Sequence, residues 1–206
     1  MTVGAVVLDI GNVLIEWQPE RFFDREVGEA RRRAMFAAVD LRGMNDRIDS
    51  GENFSAVLRA TGTAHPDFAA EIAMWHDRWL ELASPAIPHS VRLMRALRAR
   101  GVPVFALSNF GIETFALAQT EYDFLSEFDR AFVSGHLGVI KPAPEIFAAV
   151  ETATGLAPGA LLFADDRADN IAAAEARGWR GHLFDGPQGW ADRLVAEGLL
   201  DPAEAV

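Results

Sequence analysis

The residues able to do chemistry fall in four short stretches, three of them just after an apolar run and the fourth a few residues beyond one. Asp9 follows Val6-Val7-Leu8 and precedes Ile10-Gly11-Asn12; Ser108-Asn109 follows Val102–Leu107. Lys141-Pro142 comes after Ser134-Gly135-His136-Leu137-Gly138, and Asp165-Asp166 closes Leu162-Phe163-Ala164. An Asp before Gly-Asn is as good a turn opener as it is a functional group, so Asp9 alone decides nothing. Together the four stretches supply three carboxylates, an ammonium, a hydroxyl and an amide. Carboxylates gathered in this number repel one another unless a cation balances them. Hard oxygen donors with room left for water and a phosphate suit Mg²⁺. A lysine and a serine beside them would hold the oxygens of a phosphoryl group.

These groups meet only if the apolar runs are neighbouring strands. Short apolar runs at residues 6–8, Val102–Leu107, Arg130–Val133, Ala160–Ala164 and Gly181–Phe184 read as buried strands. Helical stretches separate or follow them at Ser90–Arg100, Ile112–Gln119, Pro144–Thr154, Asp169–Arg177 and Trp190–Glu197. Such alternation means βαβ units with right-handed crossovers and a parallel sheet, and ligands bind outside the carboxyl ends of its strands. The expectation is an α/β, Rossmann-like three-layer core made of residues 1–14 and 90–206. Residues 15–89 read as an all-helical cap, with helices at about Pro19–Val39, Asn53–Thr61 and Pro66–Leu82 and no strand pattern from Leu14 to Arg100.

Composition narrows the partners. The chain has 206 residues, half of them apolar, no cysteine and a formal net charge of −11. That charge disfavours nucleic acid and anionic membranes, and the lack of cysteine excludes disulfides and thiol chemistry. No apolar run approaches the ~20 residues of a membrane span and no signal-peptide pattern opens the chain, so a cytoplasmic location is expected.

In order and context the four stretches resemble the motifs of the haloacid dehalogenase superfamily of hydrolases, over the whole chain. The third motif is the run Ser134, Gly138, Lys141 and Pro142; the fourth is Asp165-Asp166 followed by Asn170. A helical insertion after the first motif is where that family most often carries its cap. The resemblance implies that Asp9 attacks phosphorus and forms an aspartyl-phosphate that water hydrolyses. It implies Mg²⁺ held by Asp9, the Gly11 carbonyl and Asp166, with Asp165 and Asn170 acting behind them. Lys141 would neutralise nucleophile and phosphate, while Ser108 and the Asn109 backbone would bind a phosphate oxygen.

One position departs from the family pattern. Phosphatases of this superfamily usually carry Asp-x-Asp in the first motif, the second Asp serving as general acid and base; here that residue is Gly11. Such help is worth ~10²–10⁴-fold, so three readings compete. The first is a phosphatase whose substrate leaves easily, a sugar 1-phosphate being an example, as in family members with Asp-x-Gly-Asn. The second is a 2-haloacid dehalogenase, which binds no metal and whose halide leaves without a proton. The third is a catalytically weak binding or regulatory protein on the same scaffold. The acidic pair Asp165-Asp166 favours the first, because without a metal it would form an uncompensated cluster with Asp9.

Substrate selection is expected from Gly11, Asn12 and Trp17, and from a loop Gly43-Met44-Asn45-Asp46-Arg47-Ile48, with Asn45 and Arg47 as contacts. His76 is one cap residue that could replace the missing acid. His136 reads as solvated, His182 as structural and Asp169 as a first-turn acid. The expected partner is a small phosphorylated metabolite, and the expected state a monomer or a homodimer, the latter through exposed cap tryptophans.

Overall fold

The computed structural model describes residues 2–206. The chain runs β1 (Ala5–Leu8), β2 (Ile15–Trp17), α1 (Pro19–Val27), α2 (Glu29–Ala38), α3 (Leu41–Asp49) and α4 (Phe54–Ala64). It goes on through α5 (Ala69–Asp77), α6 (Trp79–Leu82), β3 (Ala83–Ala86), α7 (Pro88–Ala99), β4 (Val104–Ser108) and α8 (Ile112–Glu121). The last elements are β5 (Arg130–Val133), α9 (Ser134–Leu137), α10 (Pro144–Thr154), β6 (Leu161–Asp165), α11 (Ala168–Ala176), β7 (Arg180–Leu183) and α12 (Pro187–Ala196).

Five strands form one parallel sheet in the order β5-β4-β1-β6-β7. β1 is its middle strand and is wholly buried, as an apolar run covered on both faces must be. Strand alternation divides it between two cores. Val6 and Leu8 join Val104, Ala106 and Leu162 under α7 and α12, whereas Ala5 and Val7 join Leu107 and Phe163 under α10 and α11. This is the three-layer α/β arrangement expected from the alternating pattern. Because β1 sits between β4 and β6, the chain leaves it in opposite directions and opens a crevice beyond its carboxyl end.

The inserted segment departs from expectation in three ways. β2 and β3 pair antiparallel at its two ends, where no strand was expected. Elements of three and four residues, one of them containing Pro85, leave no periodicity to read. The helix expected from Pro19 to Val39 is broken at Gly28, whose φ of 83° is open to glycine at little cost. Residues 43–48, expected as a loop, lie within α3, capped by the Asp40 carboxylate, which accepts from Gly43 N at 2.9 Å. Gly43 costs ~1 kcal/mol of helix propensity and hid the pattern.

The tryptophans of the inserted segment that could have supported a homodimer if exposed are packed inside. Trp75 packs between Phe23 (5.7 Å between ring centroids) and Trp17 (5.8 Å), and Trp79 lies between Trp17 (5.9 Å) and Phe110 (5.5 Å). Trp75 and Trp79 are both buried, which removes the exposed-tryptophan argument for a homodimer. Among the described residues no helix is long and apolar enough to cross a membrane.

The C-terminal end of α3 is clamped onto the loop that follows β4 and the short helix α9 that follows β5. Ser134 Oγ donates to the Asp49 carbonyl at 2.6 Å and accepts from Phe110 N at 2.9 Å. A Cβ at Gly111 would stand 2.5 Å from Ile48 Cγ2, and one at Gly51 2.6 Å from the Gly135 carbonyl oxygen. The sequence therefore buys close approach with small residues on both sides. Gly111→Ala must push against a buried β-branched side chain and is expected to cost ~1–3 kcal/mol in urea denaturation. An unchanged midpoint would show that α3 is not held here.

Candidate active site

The strand ends bring the four sequence stretches together. Lys141 is the hub: Nζ lies 2.9 Å from Asp9 Oδ1 and 2.6 Å from Asp165 Oδ2, and donates to the Leu107 carbonyl at 2.8 Å. Only 1% of its side chain is exposed. Burial disfavours its charge, but the two carboxylates outweigh burial and its pKa is raised. Asn109, expected to bind phosphate through its backbone, uses its side chain to hold the lysine loop. It accepts from Lys141 N at 2.7 Å and donates to Lys141 O at 3.0 Å.

Asp9 Oδ1 also accepts from Ser108 Oγ at 2.6 Å and from Ile10 N at 2.7 Å. No hydrogen bond reaches Oδ2 from the described residues. One oxygen is thus anchored and the other is left for chemistry. Burial lifts the Asp9 carboxyl to about 7, with Lys141 opposing and Asp165 adding to the rise.

The two adjacent aspartates do different things. Both oxygens of Asp165 are saturated by Lys141, by Arg167 N at 2.8 Å and by Asn170 Nδ2 at 3.0 Å. Among the described residues, the side chain that donates to Asp166 is Asn12, through Nδ2 to Oδ2 at 2.8 Å. Ligand oxygens of Asp9, Asp165 and Asp166 lie within 4.8 Å of one another. Asn170 Oδ1 is buried with no partner among the described residues. Three carboxylates against one ammonium, with an orphaned amide oxygen beside them, fit a hard divalent cation. With Asp165 committed to Lys141, Asp9 and Asp166 are the carboxylates left to hold it, beside Gly11, which lines the same cavity.

These groups line a cavity of about 400 Å³ that also takes in the Trp17, Phe54, Trp79 and Phe110 rings. Gly11, Asn12, Trp17 and Asn45 reach it as expected, although both ends of the Asn12 amide are occupied, by Asp166 and by Trp17 N. Arg47 does not reach it. It pairs with Glu52 at 2.6 Å, while α3 turns positions 42, 45, 46, 48 and 49 toward the cavity. Arg42 and Asp49, which sequence reading passed over, therefore stand at the site. Arg42 hid as one more charged residue, and Asp49 as the last acid of an unrecognised helix. His76 lines a separate hollow, with Nε2 2.7 Å from Ser55 Oγ and Nδ1 2.8 Å from Asp77 Oδ1, so it cannot replace the missing acid.

A model of the haloacid dehalogenase-like hydrolases matches residues 3–178. Two curated fungal proteins are similar to the chain. A drimenol cyclase of Aspergillus calidoustus is 23% identical over 185 residues, and a sesquiterpene phosphatase of Aspergillus oryzae 24% over 200. The alignments cover 88% and 89% of this chain; it spans 34% of the cyclase and 91% of the phosphatase. Among solved structures, a haloacid dehalogenase-family enzyme of Bacteroides thetaiotaomicron superposes with a TM-score of 0.78 at 19% identity, over 94% of this chain and 99% of its own. The same enzyme has also been solved with magnesium and inorganic phosphate. The L-2-haloacid dehalogenase of Xanthobacter autotrophicus superposes at 0.65 with 20% identity, over 98% and 86%.

The Lys141 hub sets a stability test. Lys141→Met leaves Asp9 and Asp165 buried without a counter-ion, a loss of ~3–5 kcal/mol at pH 8. Removing the lysine raises the Asp9 pKa further, so the folded variant binds more protons than the unfolded chain and its stability falls as pH rises. Melting temperatures in chelator should differ from wild type most at pH 8 and least near pH 5. A deficit independent of pH would contradict the charge account.

Proposed function

The chain belongs to the haloacid dehalogenase-like hydrolases, and from that membership we propose that it is a magnesium-dependent phosphomonoester hydrolase working through an aspartyl-phosphate. The observation that carries this reading is the unequal use of the acidic pair: Asp165 is spent on Lys141, while Asp166 stays available beside Asp9. Asp166 beside Asp9 supplies a second anionic oxygen donor of the kind a hard divalent cation takes.

In this reading Asp9 Oδ2 attacks phosphorus while Ser108, Lys141 and Ile10 N hold Oδ1. Ser108 Oγ and Lys141 Nζ line the same cavity and would exchange their bonds to Asp9 Oδ1 for phosphate oxygens, since their donors are otherwise taken. Mg²⁺, held by Asp9, Asp166 and the Gly11 carbonyl, would neutralise charge on the phosphoryl group. Asn12 steadies Asp166, and Asn170 with Arg167 N steadies Asp165. The leaving group would lie against Trp17, Phe54, Trp79 and Phe110, so it has at least one apolar face. A small phosphorylated metabolite, a sugar phosphate among the candidates, meets that requirement, and the similarity to a sesquiterpene phosphatase supports phosphate-ester chemistry. Carbon–halogen hydrolysis is the second reading, supported by the dehalogenase likeness and by the missing acid at Gly11.

A panel of phosphate esters and 2-haloacids, each with Mg²⁺ and with chelator, separates the two. Phosphate release that needs Mg²⁺ is expected, and Asp9→Asn should bring it down to background. Chelator-resistant halide release with no phosphate release would overturn the proposal.

A further inference from the structure

Gly11 leaves the first-strand turn without a proton donor, yet its place is not filled by packing. A Cβ built there meets nothing within 4 Å, so the space beside Asp9 is open cavity. The same cavity is lined by a carboxyl group outside the metal cluster, that of Asp49 at the end of α3. It makes no ion pair with the described residues. Asp46, one turn earlier, and Glu16 of β2 also line the cavity, but the Asp46 side chain is 47% exposed and within reach of Arg42, and Glu16 pairs with Arg21 at 3.1 Å.

The position of Asp49 is held from three sides. Its carbonyl takes the Ser134 hydroxyl, which also takes Phe110 N, two residues after Ser108. Gly111 and Gly51 let the α3 end approach the loop after β4 and helix α9. The clamp thus ties Asp49 to the strand end that carries Ser108.

We propose that Asp49 is the general acid and base of this hydrolase, supplied by the inserted segment in place of the carboxylate absent at Gly11. The inference rests on the phosphatase reading. In the first step the Asp9 Oδ2–phosphorus bond forms, the phosphorus–ester oxygen bond breaks, and the Asp49 carboxyl proton passes to that oxygen, releasing the alcohol. In the second, Asp49 carboxylate takes a proton from water as the water oxygen bonds phosphorus and the Asp9–phosphorus bond breaks. Inorganic phosphate leaves, with Asp9 ionised and Asp49 protonated as at the start. Burial raises the Asp49 carboxyl to about 7; Asp46 and Asp9 add to the rise, while the Gly111 N–H and Lys141 oppose it. A group in that range both gives and takes a proton near neutrality. With Asp49 in this role the substrate need not have an unusually good leaving group.

The test compares wild type, Asp49→Asn and Asp49→Glu on p-nitrophenyl, phenyl and 2-phenylethyl phosphate with Mg²⁺, with melting temperatures as a fold check. Asp49→Asn should lose ~10²–10⁴-fold on 2-phenylethyl phosphate, whose alcohol needs a proton to leave. On p-nitrophenyl phosphate it should release one equivalent of nitrophenolate in a burst and accumulate acid-stable phosphoprotein, because only the second step still needs the base. Asp49→Glu should recover part of both rates, and Gly11→Asp added to Asp49→Asn should recover the alkyl ester. If the asparagine variant does not fold, Asp49→Ser repeats the comparison. Equal losses on all three esters with no burst, or no loss at all, would overturn the role of Asp49 alone. No hydrolysis of any ester by wild type would overturn the phosphatase reading and this inference with it.

Discussion

The Lys141 ammonium, buried between Asp9 and Asp165, is the interaction on which the rest of the site depends. Neither carboxylate is tolerable at this depth without it, and the lysine is equally costly without them. The pair of contacts spans the crevice beyond three strands, since Asp9 follows β1, Asp165 ends β6 and the Leu107 carbonyl belongs to β4. One ammonium against three carboxylates still leaves the cluster short of positive charge, in a chain whose net charge is −11. The attraction for a phosphate must therefore come from a bound cation and from directed donors, not from the protein's overall field.

The inserted segment is continuous with the core beneath it. Phe22, Phe23 and Trp75 belong to the same buried cluster as Val6 and Leu8 of the central strand. The aromatic row from Trp75 through Trp17 and Trp79 to Phe110 crosses from one to the other. The cavity walls and the hydrophobic core are thus partly the same residues, so the surface that receives a leaving group is set by packing as firmly as any strand.

Much of the core was legible because two local signals coincide at each strand end: an apolar run, then a polar residue that such a run has no structural need for. Asp9, Ser108 and Asp165-Asp166 stand out this way, Lys141 stands out by its place after two glycines and before Pro142, and the structure brings all of them to one crevice. α3 and the β2–β3 ribbon were not legible. Gly43 and a dense run of charges mask the helix, and the ribbon is too short to show a period. Missing the helix is what placed Arg47 at the cavity instead of Arg42 and left Asp49 unread, because only a helical period tells which of these side chains share a face.

The sequence by itself determined the alternation of strands and helices, the order in which the polar groups arrive, and the absence of a carboxylate at Gly11. Those are local properties, set by side-chain type and spacing. Residue type does not separate Asp165 from Asp166; the family resemblance implied different roles for them, and the tertiary structure gives the physical reason. The first is sealed against Lys141 and Asn170, and the second is left to Asn12 and the cavity. Tertiary structure alone decided that Asp49, more than ninety residues before Lys141 and in a different part of the chain, faces the same space. Burial, and with it the cost of a charge, belongs to whatever surrounds a side chain, and those surroundings come from segments that are distant in sequence.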